Sequence, residues 1–244
     1  MYNWKNHKKT DYQWWLNRIE HTFDLVDVVR IDHFNGFAKY WEVKAGETGG
    51  ATGHWVVGPD EDFLSAINQS LGARPIIAED LGEAAKEAAV LRKKFDIPGM
   101  SILQMAFGED ANINGNLKSL DNEINVVYTG THDNDTTIGW FQTLPESVIS
   151  TQASADIVKE RKRALKFLGT DGSEINWDFI SLALHSKANT VIIPLQDILG
   201  LGTNARMNTP GTIEGNWQWR FKKNTLTSDI IERMRTVTEE SKRL

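Results

Sequence analysis

The chain has 244 residues, 40% of them hydrophobic and 25% charged, and its 27 Lys and Arg against 33 Asp and Glu leave a net charge of −6. That composition belongs to a folded globular protein and excludes a disordered, collagen-like or coiled-coil array. An acidic balance argues against a domain built to grip nucleic acid, and no apolar run approaches the ~18 residues of a membrane span.

In chain order, residues 11–23 carry Tyr12, Trp15, Leu16, Ile19 and Phe23 at helical spacing. Residues 24–31 are rich in Val and Ile and read as a strand. A helix is expected over 60–71, opened by Asp60, Glu61 and Asp62, whose charge suits the positive end of a helix dipole. Further strands are expected at 74–80, 99–107, 124–131 and 189–196, and further helices at 82–95, 153–168, 177–188 and 227–243. The Gly-, Asn- and Trp-rich stretch 200–220 has no periodicity and reads as a long loop. Strands that are nearly continuous apolar runs, alternating with helices, predict an α/β fold with a parallel sheet buried on both faces. No internal repeat or Pro/Gly/Ser linker divides the chain, so one domain over 1–244 is expected.

The chain has no cysteine, which removes disulfides and thiolate metal sites from consideration. The N-terminal MYNWKNHKKTDYQWW lacks the apolar core of a signal peptide, so a cytoplasmic setting is expected. Nine Trp are present; core packing is the commoner fate of such rings, although their faces also stack on sugar C–H faces.

Parallel α/β folds place reactive side chains at the C-terminal ends of strands. The strand ends here read Arg30-Ile31-Asp32-His33, Ala78-Glu79-Asp80, Gln104-Met105-Ala106-Phe107, Thr131-His132-Asp133-Asn134-Asp135 and Gln196-Asp197. A lone Asp after a strand is commonly a helix cap or a solvated loop residue. Three carboxylates at matching strand ends, with Arg30 and His132 beside two of them, point instead to a site. By the two-residue period of a strand, Arg30 and Asp32 share a face and are expected to touch, which keeps Asp32 ionised. Glu79 follows an apolar run, whose desolvation favours the neutral acid. If Asp32 and Glu79 end adjacent strands, ~4.8 Å apart, the carboxyl separation suits a retaining glycosidase with its ~5–5.5 Å spacing. His33 has the opposite parity and is expected to be structural. The glycines of 46–53 lack a Lys-Ser/Thr ending and are read as a mobile loop over the rim, not a phosphate loop. No His pair has zinc spacing, and 132–135 lacks the Gly and Glu of a calcium loop.

Val29-Arg30-Ile31-Asp32-His33-Phe34, Ala78-Glu79-Asp80-Leu81-Gly82 and Thr131-His132-Asp133-Asn134-Asp135-Thr136 together resemble the 4-α-glucanotransferases of the amylomaltase family, glycoside hydrolase family 77, relatives of the α-amylases. Tyr2-Asn3-Trp4, Gly53-His54-Trp55-Val56, Arg206-Met207-Asn208-Thr209-Pro210-Gly211 and Asn216-Trp217-Gln218-Trp219-Arg220 extend the likeness along essentially the whole chain. The resemblance implies a (β/α)8 TIM-barrel fold of which this chain holds strands four to eight, with an upstream polypeptide supplying the others. It implies Asp32 as nucleophile, Glu79 as acid/base, Asp133 as transition-state stabiliser, and Arg30, His132, Asn208 and Trp55 on the substrate side. It implies α-1,4-glucan donors and acceptors, no metal and no cofactor. Met105 departs from the family's usual aromatic in Leu-Gln-x-Ala-Phe, which weakens stacking at an acceptor subsite. An α-amylase-like hydrolase and a truncated, non-catalytic fragment are the competing expectations.

Overall fold

The computed structural model describes residues 2–47, 49–108, 120–142 and 152–244, with side chains from 156 onward in the last span. The chain divides into two compact units, Met1–Met100 and Ser101–Leu244. The architecture is α/β, with parallel pairs in each unit.

The first unit carries helices α1 (Trp4–Lys9), α2 (Gln13–Phe23), α3 (Asn35–Ala38), α4 (Asp60–Leu71) and α5 (Ala85–Lys94) and strands β1 (Val29–Ile31), β2 (Lys39–Glu42), β3 (His54–Val57) and β4 (Ile76–Ala78). β1 and β4 run parallel, with Val29 opposite Ile76, Arg30 opposite Ile77 and Ile31 opposite Ala78. The acidic opening of α4 is as expected, and the helix stops at Gly72, whose φ of +72° only glycine adopts without strain. α4 buries Phe63, Leu64 and Ile67, and α2 buries Leu16 and Ile19. Phe63 is fully enclosed, with ring contacts to Phe37 at 4.9 Å, Tyr12 at 5.2 Å, Trp15 at 5.5 Å and Trp4 at 5.7 Å. Trp4 and Trp15 therefore pack against the core, as the commoner fate of Trp predicts. Phe63→Ala is expected to destabilise the protein by about 3–5 kcal/mol, read as a fall in the urea midpoint, because a large rigid cavity opens among rings that cannot collapse into it.

The second unit carries β5 (Met100–Ile102, its first residue being the last of the first unit), β6 (Val126–Tyr128) and β7 (Thr190–Ile192) in the order β5-β6-β7, with helices α6 (Thr137–Gln142), α7 (Gln152–Leu168), α8 (Ile175–Leu184), α9 (Leu195–Ile198) and α10 (Ser228–Glu240). Leu103, Phe107, Val127, Ile175 and Phe179 form its core. α10 is N-capped by Thr227, whose side chain accepts from the Ile230 amide.

The strands are shorter than the apolar runs that announced them. β5 ends at Ile102, and Leu103–Met105 turn into a 3-10 helix that buries Gln104. β7 stops before Pro194, which cannot donate to a ladder and instead heads α9. Burial on both faces holds for β5 and β6, but β1 is half-buried and β7 is exposed at both ends. β7 lies at one end of its sheet, and β1 has β4 as its one partner among the described residues. Leu25, Val26 and Val28, inside the expected first strand, are exposed. The antiparallel β2–β3 hairpin was not announced at all. Its Lys-Tyr-Trp-Glu strand is too short and polar to stand out, and the Gly-rich 46–53 lies in its connection. Gly53 is required there, because a Cβ would sit 2.2 Å from the Trp41 indole nitrogen. The loop expected over 200–220 is irregular, apart from one 3-10 turn at Thr203–Ala205.

Candidate active site

In the first unit, Asp32 and Glu79 are the residues that follow the last register pair of β1 and β4, Ile31 opposite Ala78. The Glu79 amide donates to Ile31 O at 3.0 Å and the Phe34 amide to Glu79 O at 3.0 Å, so Asp32 and Glu79 end neighbouring parallel strands side by side. Arg30 and Asp32 touch as their shared parity predicts, with Nη1 to Oδ1 at 2.7 Å. The guanidinium is mostly covered, and its Nε points to Met100 Sδ at 3.3 Å. Asp32 itself is exposed, at the wall of a cavity of about 700 Å³ lined by Tyr2, Trp4, Trp15, Phe37 and Tyr40.

Glu79 is half-buried, so the apolar enclosure expected from the run before it is incomplete at the carboxylate. Its two oxygens are held by the backbone: Oε2 accepts from the His33 amide at 2.8 Å and Oε1 from the Leu81 amide at 3.1 Å. The His33 contact follows from a left-handed backbone at His33 (φ +48°), which turns the amide toward the neighbouring strand. The contact is made by the His33 backbone; its side chain is exposed and lines the same cavity as Asp32. Asp80, one residue further, is buried and paired with Arg92 Nε at 2.5 Å, and it accepts from the Met100 amide at 3.2 Å. The two adjacent acids thus divide the work: Asp80 anchors the strand end and Glu79 faces outward.

In the second unit, β6 ends in a turn closed by Asn134, whose Oδ1 accepts from the Thr131 amide at 2.9 Å and hydroxyl at 2.8 Å. That turn pushes His132 and Asp133 outward. Asp133 Oδ1 accepts from Asn208 Nδ2 at 2.6 Å, and Oδ2 lies 3.3 Å from His132 Nε2. Arg206 donates to Asp133 O at 2.7 Å and to Asn208 O at 2.8 Å, and the Asn208 amide donates to His132 O at 3.1 Å. Trp217 packs its ring on His132 at 5.0 Å and donates its amide to Met207 O. Asp135 is turned away, taken up by the Thr136 amide and the Thr203 hydroxyl.

The geometry therefore gathers Arg30, Asp32 and Glu79 at one set of strand ends, and His132, Asp133 and Asn208 at another. Trp55 stands apart on the β2–β3 hairpin. Its ring meets Trp41 edge-on at 5.3 Å and carries Lys39 Nζ 4.7 Å above it. Arg206 as a brace for Asp133 escaped the sequence reading, since side chains more than seventy residues apart in the chain leave no spacing signal. So did Asp197, noted only as the last acid at a strand end. Burial pushes its carboxyl above the usual aspartate range, with hydrogen bonds from Thr129 and Thr137 opposing the rise. Among the described residues, no group of three or more His, Asp or Glu is arranged to hold a metal ion, and no helix is long and apolar enough to cross a membrane.

A family model described as 4-alpha-glucanotransferase matches residues 1–227. The chain is 45% identical over 227 residues to a 4-alpha-glucanotransferase of Arabidopsis thaliana, covering 92% of this chain and 37% of that protein. It is 41% identical over 241 residues to one from Synechocystis, covering 98% of this chain and 45% of the relative. The crystal structure of amylomaltase from Streptococcus agalactiae in complex with acarbose superposes with a TM-score of 0.87 at 31% identity, over 99% of this chain and 47% of that one. The chain thus spans less than half the length of these relatives.

Proposed function

The chain belongs to the 4-alpha-glucanotransferase family, glycoside hydrolase family 77, and on that premise we propose that it carries the reacting carboxylates of an enzyme that moves α-1,4-glucan segments from a donor to the 4-hydroxyl of an acceptor glucan. The observation that carries this reading is the placement of Asp32 and Glu79 directly after the last paired residues, Ile31 and Ala78, of two adjacent parallel strands, one acid bound to a guanidinium and the other to two backbone amides.

Two displacements follow from that pairing. Glu79 donates its proton to the glycosidic oxygen as an Asp32 oxygen attacks the anomeric carbon. The C–O bond to the leaving glucan breaks and a glycosyl ester forms on Asp32. Glu79, now a carboxylate, takes the proton of an acceptor 4-hydroxyl; that oxygen attacks the anomeric carbon and Asp32 leaves. Two inversions restore the α configuration. Arg30 fixes the approach of Asp32 through one charge-assisted hydrogen bond, from Nη1 to Oδ1. Asp133 stabilises the positive charge that develops on the sugar, assisted by His132 at the ring hydroxyls. Asn208 and Trp55 complete the substrate side. Transfer prevails over hydrolysis when an acceptor sugar, held on aromatic surfaces, outcompetes water at the ester.

The strands of both units are assigned in this reading to one (β/α)8 barrel domain, as strands four to eight, completed by upstream polypeptide. Residues 1–244 on their own are then expected to show little or no transfer; robust turnover by that polypeptide would contradict the assignment. The choice between transferase and α-amylase-like hydrolase is made by incubating the full-length protein with maltotriose. Transfer yields glucose together with a ladder of longer maltooligosaccharides. Shortened products alone would identify a hydrolase.

A further inference from the structure

We propose that Asp197 is the positioning residue for the loop that presents His132 and Asp133, a role that rests on the transferase reading of Asp133. Its carboxylate receives three hydrogen bonds, from Thr129 Oγ1 at 2.5 Å, the Thr137 amide at 2.7 Å and Thr137 Oγ1 at 2.9 Å. Thr129 follows β6 and Thr137 opens α6, so one carboxylate clamps both feet of the 130–136 loop.

The clamp is itself rigid. Asp197 is 1% exposed, its amide donates to Pro194 O at 3.0 Å, and Asn176 Nδ2 donates to its carbonyl at 2.8 Å. The middle of the loop has a second support in Gln104, which donates to Asp135 O at 2.9 Å and lies where a Cβ on Gly130 would come within 2.7 Å. Between these fixed points, Asp133 is the exposed residue of the loop, with the half-buried His132 beside it. An ionisable group buried among two hydroxyls and an amide is an expensive way to join two loop ends, since burial disfavours its charged form. The arrangement makes sense where sub-ångström placement of Asp133 has a catalytic return: displacement by about 1 Å costs on the order of a hundredfold in rate.

The test uses the full-length protein, with maltotriose as substrate, and pairs kinetics with amide hydrogen exchange. Asp197→Asn keeps the shape but loses one acceptor, and Thr137→Val removes a single donor. Both are expected to lower kcat about tenfold to a hundredfold with KM changed less than twofold. Exchange over 129–137 is expected to quicken at least about tenfold, while α8 (Ile175–Leu184) keeps its protection. Thr137→Ser restores the hydroxyl and is expected to restore kcat. Unchanged exchange over 129–137 in both variants would overturn the proposal. So would equal loosening of α8, or a failure of Thr137→Ser to rescue, since either marks a purely structural role. Where the unmodified protein gives no transfer from maltotriose, the transferase reading fails, and the exchange arm still decides whether Asp197 clamps the loop.

Discussion

Asp32→Asn is expected to lower the rate of transfer by at least about 10³-fold, with the folded structure intact. The substitution keeps the size and planarity of the side chain, so Arg30 retains an oxygen to bind in place of the present 2.7 Å contact. It removes the one property the first displacement needs, an anionic oxygen able to form an ester with the anomeric carbon. Stability is expected to change by less than about 1 kcal/mol, because the Asp32 side chain is 70% exposed and its ion pair is correspondingly screened. Initial rates of glucose release from maltotriose, together with the urea midpoint, read both quantities. A rate within tenfold of the unmodified protein would remove Asp32 from the nucleophile's role.

Asp133→Asn carries the second large effect, a fall in kcat of about 10²–10³-fold with KM little changed. The split follows from where the charge matters. A neutral glucan in its ground state gains little from an anion beside it, whereas a sugar ring acquiring positive charge gains much. The local fold survives, since the Asn208 and Arg206 contacts involve one oxygen and one backbone carbonyl that remain after substitution. Steady-state kinetics over a range of maltotriose concentrations separate the two parameters. An increase in KM with kcat preserved would instead make Asp133 a residue of uniform substrate binding.

How much of this was readable from residues alone depends on the range of each interaction. The Arg30–Asp32 contact is local, two residues apart on a strand, and parity predicts it. The adjacency of Asp32 and Glu79 was readable only as a condition, since pairing of two strands forty-seven residues apart depends on the fold around them; the register of β1 on β4 meets that condition. The longer helices were well placed because amphipathic periods run over many residues, as in α4 and α10, whereas the short α1, α3, α6 and α9 carry no such period and were not expected. Strand ends were overextended because Val- and Ile-rich runs continue past the hydrogen-bonded ladder, through Leu103 and up to Pro194, where backbone sterics and proline end it. The β2–β3 hairpin stayed hidden behind two four-residue strands with mixed polarity. The division of labour between Glu79 and Asp80, and between Asp133 and Asp135, lies beyond any spacing rule. It is set by Arg92 and Met100 for one pair and by Asn208, Arg206 and Thr203 for the other.

Trapping the covalent intermediate tests the central claim most directly. A fluorinated maltosyl fluoride supplies a leaving group that needs no proton, and Glu79→Gln slows the second displacement, so the glycosyl ester accumulates. Digestion and mass spectrometry of the full-length protein are expected to find the added glycosyl mass on the peptide containing Asp32, and to find none on it after Asp32→Asn. A label on Asp133 or on another residue, or turnover through an inverted product with no label at all, would contradict the two-displacement account.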